Sequence, residues 1–152
     1  MKKQFIFLIT IMLVIIIIVS INILQNRKEK ASLQNYNAEY EQYLNKEIYG
    51  TDIATLINKA IDNNEKNNIE KDEKGFFIDN GQDSILIEII MITNEEKQET
   101  TTYKMETIQK VGLLNFLTNF NLTTFKSSNV EYHQLTGKIS KITFEQLESI
   151  SY

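Results

Sequence analysis

The apolar residues of this chain are gathered at one end before they become periodic. Residues 5–24 read FIFLITIMLVIIIIVSINIL, twenty residues with no charge and only Thr10, Ser20 and Asn22 as polar interruptions. At about 1.5 Å per residue, a helix of that length covers about 30 Å, the thickness of a bilayer's hydrocarbon core. A cleaved signal sequence has a shorter apolar run of about 7 to 15 residues, followed by a small-x-small triplet. This run is longer, and no such triplet follows it. The pattern therefore predicts an uncleaved single-pass transmembrane anchor over residues 1–27 and a separate domain over 28–152.

Beyond the anchor the pattern turns amphipathic. Leu33, Tyr36, Tyr40, Leu44 and Ile48 recur at steps of three and four and predict that the helix continues to Ile48, with Gly50 ending it. The tyrosines at this spacing are read as packed on the domain's own sheet, ahead of a partner surface. Thr51 is the expected N-cap of a second helix, whose stripe is Ile53, Leu56, Ile57, Ala60 and Ile61, ending near Asn63. The stretch from Asn63 to Gly75 is strongly polar and predicts an exposed loop.

Strand patterns follow. FFI at 76–78 and SILIEIIMI at 84–92 flank Asn80-Gly81, a pair that suits a type I′ hairpin turn. The Ile-rich second segment is expected inside the sheet. Asn94–Glu99 reads as the next turn, and TTYKMETI at 101–108 as the returning strand, with Tyr103 and Met105 on one face. VGLLNFLTNF at 111–120 predicts a short helix or buried crossing. A last hairpin joins 130–135 to 138–144 through Thr136-Gly137, the glycine supplying a left-handed position. The predicted class is α+β: the transmembrane helix running on into an amphipathic one, a second short helix, and an antiparallel sheet of about four or five strands.

Composition narrows the chemistry. The 152 residues carry a net charge of −4, one histidine and no cysteine, which removes disulfides, thiolate metal sites and any site needing two imidazoles. No basic stripe marks a nucleic-acid surface. Calcium-loop spacing fails from Asp62, where Asn67 falls at the glycine position, and from Asp79, where Ile90 falls at the final glutamate position. His133 follows Glu131 by two residues and could pair with it as a general base, yet no nucleophile motif accompanies them. Glu88 interrupts the isoleucines of its strand and faces either core or solvent. No catalytic, cofactor-binding or metal-binding residue is expected, and no cofactor.

Orientation is weakly encoded. Lys2 and Lys3 precede the span, while Arg27, Lys28 and Lys30 follow it, so the positive-inside rule is nearly balanced. A short basic tail ahead of the span is the usual form of a signal anchor. It predicts a cell-membrane location with the C-terminal domain extracellular.

Two resemblances add to this reading. The order of anchor, continuing helix and antiparallel sheet resembles type IV pilins and pseudopilins over about the first 110 residues, which implies assembly through the apolar helix. Gln4 precedes Phe5, and Ile9 stands fifth from it, where that family's processing motif has glycine and glutamate. YLNKEIYGTDIATLINKAIDNN at 43–64 and EYHQLTGKISKITFEQLE at 131–148 are similar to small uncharacterised membrane-anchored proteins of low-GC Gram-positive bacteria. Abundant Ile, Asn and Lys, a single Arg and no Pro or Trp agree with an AT-rich genome. The expected function is a non-catalytic structural or interaction role in the envelope, as a pilin-like or secretion-assembly component. Its partners are the lipid bilayer through residues 5–24 and membrane or envelope proteins, not nucleic acid. The alternative is a tethered binding module for a small ligand or wall polymer.

Overall fold

The computed structural model describes residues 2–94, 97 and 99–147. The chain divides into two units, one up to Tyr36 and one from Asn37 onward. Helix α1 covers Lys2–Glu41, and its last turn belongs to the second unit. In the first unit the apolar side chains from Phe7 to Leu24 are 43–67% exposed, with nothing packed upon them. A helix that is apolar all round and unburied has the character of a membrane span. Its polar interruptions are satisfied internally: Ser20 Oγ donates to Ile16 O and Asn22 Nδ2 to Ile18 O, each at 2.8 Å. Such back-bonding suits a solvent that offers no partners.

The second unit continues with β1 (Glu47–Tyr49), α2 (Gly50–Lys66), β2 (Leu86–Asn94), β3 (Glu99–Lys104), α3 (Met105–Val111), α4 (Leu113–Phe120), β4 (Thr124–Tyr132) and β5 (Ile139–Gln146). The sheet order is β1-β4-β5-β2-β3. The α+β class and a five-stranded sheet agree with the sequence. The sheet is mixed, however, because β2 lies parallel to β5 while the other pairings are antiparallel. β2 is interior as expected, with β5 on one side and β3 on the other. Ile87, Ile89 and Met91 alternate into the core with Ile142 and Phe144 of β5, under α2, α3 and α4. Tyr40 is 1% exposed, so this member of the tyrosine series is core.

Four local expectations change. Helix α1 stops at Glu41 rather than Ile48, because Asn45 takes a left-handed φ of 56° and turns the chain. Ile48 is still buried, but as a strand residue opposite Phe125. Helix α2 begins at Gly50, capped from Tyr49, whose N–H donates to Asp52 Oδ2 at 3.1 Å, and not from Thr51. It runs one turn past Asn63 and ends before Asn68, another left-handed residue at φ 53°.

The Asn80-Gly81 hairpin does not form. Residues 76–78 make one isolated bridge, Lys71 with Phe77, because both edges of β2 are taken by other strands. Only Gly81 of the pair has positive φ. The strand expected over 101–108 ends at Lys104, and Met105 and Ile108 are buried at helical spacing on α3. Within the expected Asn94–Glu99 turn, residues 95, 96 and 98 lie outside the described residues. The last hairpin forms as read, with Gly137 at φ 70°.

Candidate functional site

The lone histidine is the natural starting point. His133 follows β4, and its side chain is 1% exposed. Nε2 lies 2.7 Å from Ser84 O. A carbonyl only accepts, so that nitrogen carries the proton. Nδ1 lies 3.5 Å from Asp79 Oδ1. The carboxylate beside His133 is therefore Asp79, from a distant loop, and not Glu131. A register shift between Glu131 and Tyr132 breaks the alternation that would have put Glu131 beside the ring. Glu131 instead accepts from Asn129 Nδ2 at 3.0 Å.

The loop that meets His133 is organised by two short side chains. Asn80 Oδ1 accepts the N–H groups of Gln82, Asp83 and Ser84. Asp79 Oδ1 accepts from Gly81 N–H and the Ser84 hydroxyl, both at 2.8 Å. Burial pushes the Asp79 carboxyl up, but the Gly81 N–H, the Ser84 hydroxyl and the nearby His133 outweigh it, leaving its pKa below the usual carboxylate value. Further bonds join loop and hairpin. Thr136 Oγ1 donates to Gln82 O at 3.0 Å, and Lys138 pairs with Asp83. Asn37 adds another tie, donating to Gly137 O and accepting from Ile139 N–H.

This arrangement clasps loop 79–84 to the β4–β5 turn. Ser84 is fully buried and gives its hydroxyl proton to Asp79, so His133 and Ser84 are not arranged as base and nucleophile. Glu88, the other ionisable residue singled out by sequence, pairs with Lys141 Nζ at 2.8 Å on the sheet. Among the described residues, no three His, Asp or Glu side chains cluster to hold a metal ion.

A different feature was not legible as a site. Gly112, at φ 104°, turns the chain between α3 and α4, a conformation that disfavours any side chain. The two helices and strands β2 and β3 then enclose a half-open slot of about 210 Å³, with Met91, Ile108, Phe116 and Phe120 among its walls. Val111 on its rim is 65% exposed, and Leu114 and Leu122 nearby in the chain are 78% and 79% exposed. Only Phe116 of α4 is fully buried. The available signal was charge: no Asp, Glu, Lys or Arg occurs from Val111 to Phe125, in a chain that is 24% charged. A wider recess of about 570 Å³ lies against α3, lined by Lys74, Phe76, Gln109 and Lys110, and shares Thr107 and Val111 with the slot.

No protein-family model, curated protein or solved structure matches the chain.

Proposed function

We propose that this chain is a single-pass envelope protein whose C-terminal unit is a non-catalytic interaction module, held outside the cell membrane by α1. The carrying observation is the combination of an unburied apolar helix with an uncharged, apolar face on α3 and α4. The first supplies a tether, and the second offers surface a partner can cover. The ionisable residues that sequence singled out are paired within the fold, Glu88 with Lys141 and His133 within its clasp. That supports an interaction role ahead of chemistry. The resemblance to pilins and pseudopilins makes a pilin-like or secretion assembly the class of structure such a module would join.

Protease added to intact cells tests the extracytoplasmic half of this reading. Cleavage within residues 37–152 before lysis is the expected result. Protection until lysis, with the protease shown to cut the domain afterwards, places the unit in the cytoplasm and overturns it.

The recess at Lys74 and Lys110 favours a second reading, a tethered module for an anionic small ligand or wall polymer. It predicts a rise in melting temperature with anionic wall fragments that is lost in Lys110→Ala. The recess is open to solvent on the side of an exposed loop, which ranks this reading second.

A further inference from the structure

We propose that the α3–α4 face is a two-fold interface between two copies of this chain, which rests on the anchored-module reading and names its partner. The face carries a hole and a knob side by side. The slot, at about 210 Å³, is smaller than the roughly 300–1,000 Å³ typical of small-molecule pockets and suits an inserted side chain. Leu114 stands 78% exposed one helical step from Val111, which forms part of the slot. A patch bearing both elements is self-complementary: Leu114 of each copy enters the slot of the other about a two-fold axis.

Charge selects this face for like meeting like. Residues 37–152 carry 19 acidic and 11 basic side chains, so two copies repel over most of their surfaces. The stretch 111–125 has no charge at all and brings no carboxylates into opposition. Depletion of charge is also what distinguishes the cores of protein interfaces. The anchor supplies the remaining contribution. Copies inserted in one bilayer through the same helix share orientation and a raised effective concentration. A face smaller than the roughly 800 Å² per partner of a standard soluble complex then suffices.

Absence of native cysteine makes the test clean. Leu114→Cys is placed in the full chain, and isolated membranes are oxidised with copper phenanthroline and run on a non-reducing gel. Gln134→Cys, on the exposed β4–β5 turn, is the collision control. The expected result is a band of doubled mass, several-fold stronger for Leu114→Cys than for the control. Equal bands for the two variants overturn the proposal, as does a Leu114→Cys product containing a different protein. Leu114 is exposed, so its replacement leaves the fold intact; Asn115→Cys on the slot's wall is the second reporter and should cross-link likewise. An alkaline wash of the same membranes separates the two claims. Release of the protein sinks the anchor reading, while the cross-link is still scored in the released fraction.

Discussion

Gly50→Ala is expected to cost the C-terminal unit about 3 kcal/mol or more, the severe end of overpacking. Gly50 opens α2 where α4 ends. A Cβ built there would sit 1.9 Å from the carbonyl oxygen of Phe120 and 2.7 Å from its carbon. Both are backbone atoms, so no side-chain rotation relieves the clash. The first turn of α2 would have to part from the end of α4, which puts at risk the bond from Gly50 N–H to Thr123 O at 3.0 Å. Phe120 also lines the apolar slot, so the strain reaches the proposed interface. Urea unfolding of the purified full chain in detergent checks this. Thr51→Ala, one residue on and exposed, should stay within about 0.5 kcal/mol of the parent. A Gly50→Ala transition at the parent's midpoint would show that the close approach does not exist.

Asn64→Ala is expected to have a comparable effect by a different route. Asn64 is completely buried near the end of α2, where its side chain imitates a strand's backbone. Nδ2 donates to Ile85 O and Oδ1 accepts from Ile85 N–H, both at 2.8 Å. Ile85 is itself fully buried. Truncation strands a donor and an acceptor away from water, at about 1–3 kcal/mol for each unsatisfied group. A total loss of about 2–4 kcal/mol follows. Asn64→Asp should not rescue it, because a carboxylate oxygen would then face the Ile85 carbonyl. Asn63→Ala gives the contrast, since Asn63 is only half-buried and donates to Asp83 O at a loop. Amide exchange at Ile85 is the direct readout: it should accelerate strongly in Asn64→Ala and little in Asn63→Ala. Unchanged protection would refute the role assigned to this pair.

These two residues also show which parts of the structure could be read in advance. The sequence marked Gly50 as a helix boundary and Asn64 as part of a polar stretch, and both descriptions are correct locally. Neither states what lies opposite, because Phe120 and Ile85 are brought there by the tertiary fold. The same limit explains the strand order. Period-two patterning identified β2 and β5, but their parallel pairing depends on chain paths that no local pattern records. Asn80-Gly81 satisfied a hairpin rule, yet here the asparagine side chain accepts three backbone N–H groups, and the loop docks on the turn carrying His133. Ile48 kept its place in the core while changing from helix to strand, since steps of four satisfy both patterns. Composition, by contrast, is read directly: the apolar run 5–24 and the uncharged run 111–125 needed no pairing information.

The exposed leucines of α4 illustrate the remaining gap. Leu113, Leu114 and Leu117 look alike in the sequence, but Leu114 is far more exposed than its neighbours. Helical phase relative to Phe116 decides this, and that phase follows from Phe116 packing near Phe125, with ring centroids 6.4 Å apart. Core and surface separate only once β4 is in place.

The central claim is that α1 holds this protein in a membrane, and alkaline carbonate extraction of the full chain tests it most directly. The account predicts that the protein stays in the membrane pellet after the carbonate wash and enters the supernatant only with detergent. Release by carbonate alone would contradict it, making α1 an apolar helix that awaits a protein partner instead of a bilayer.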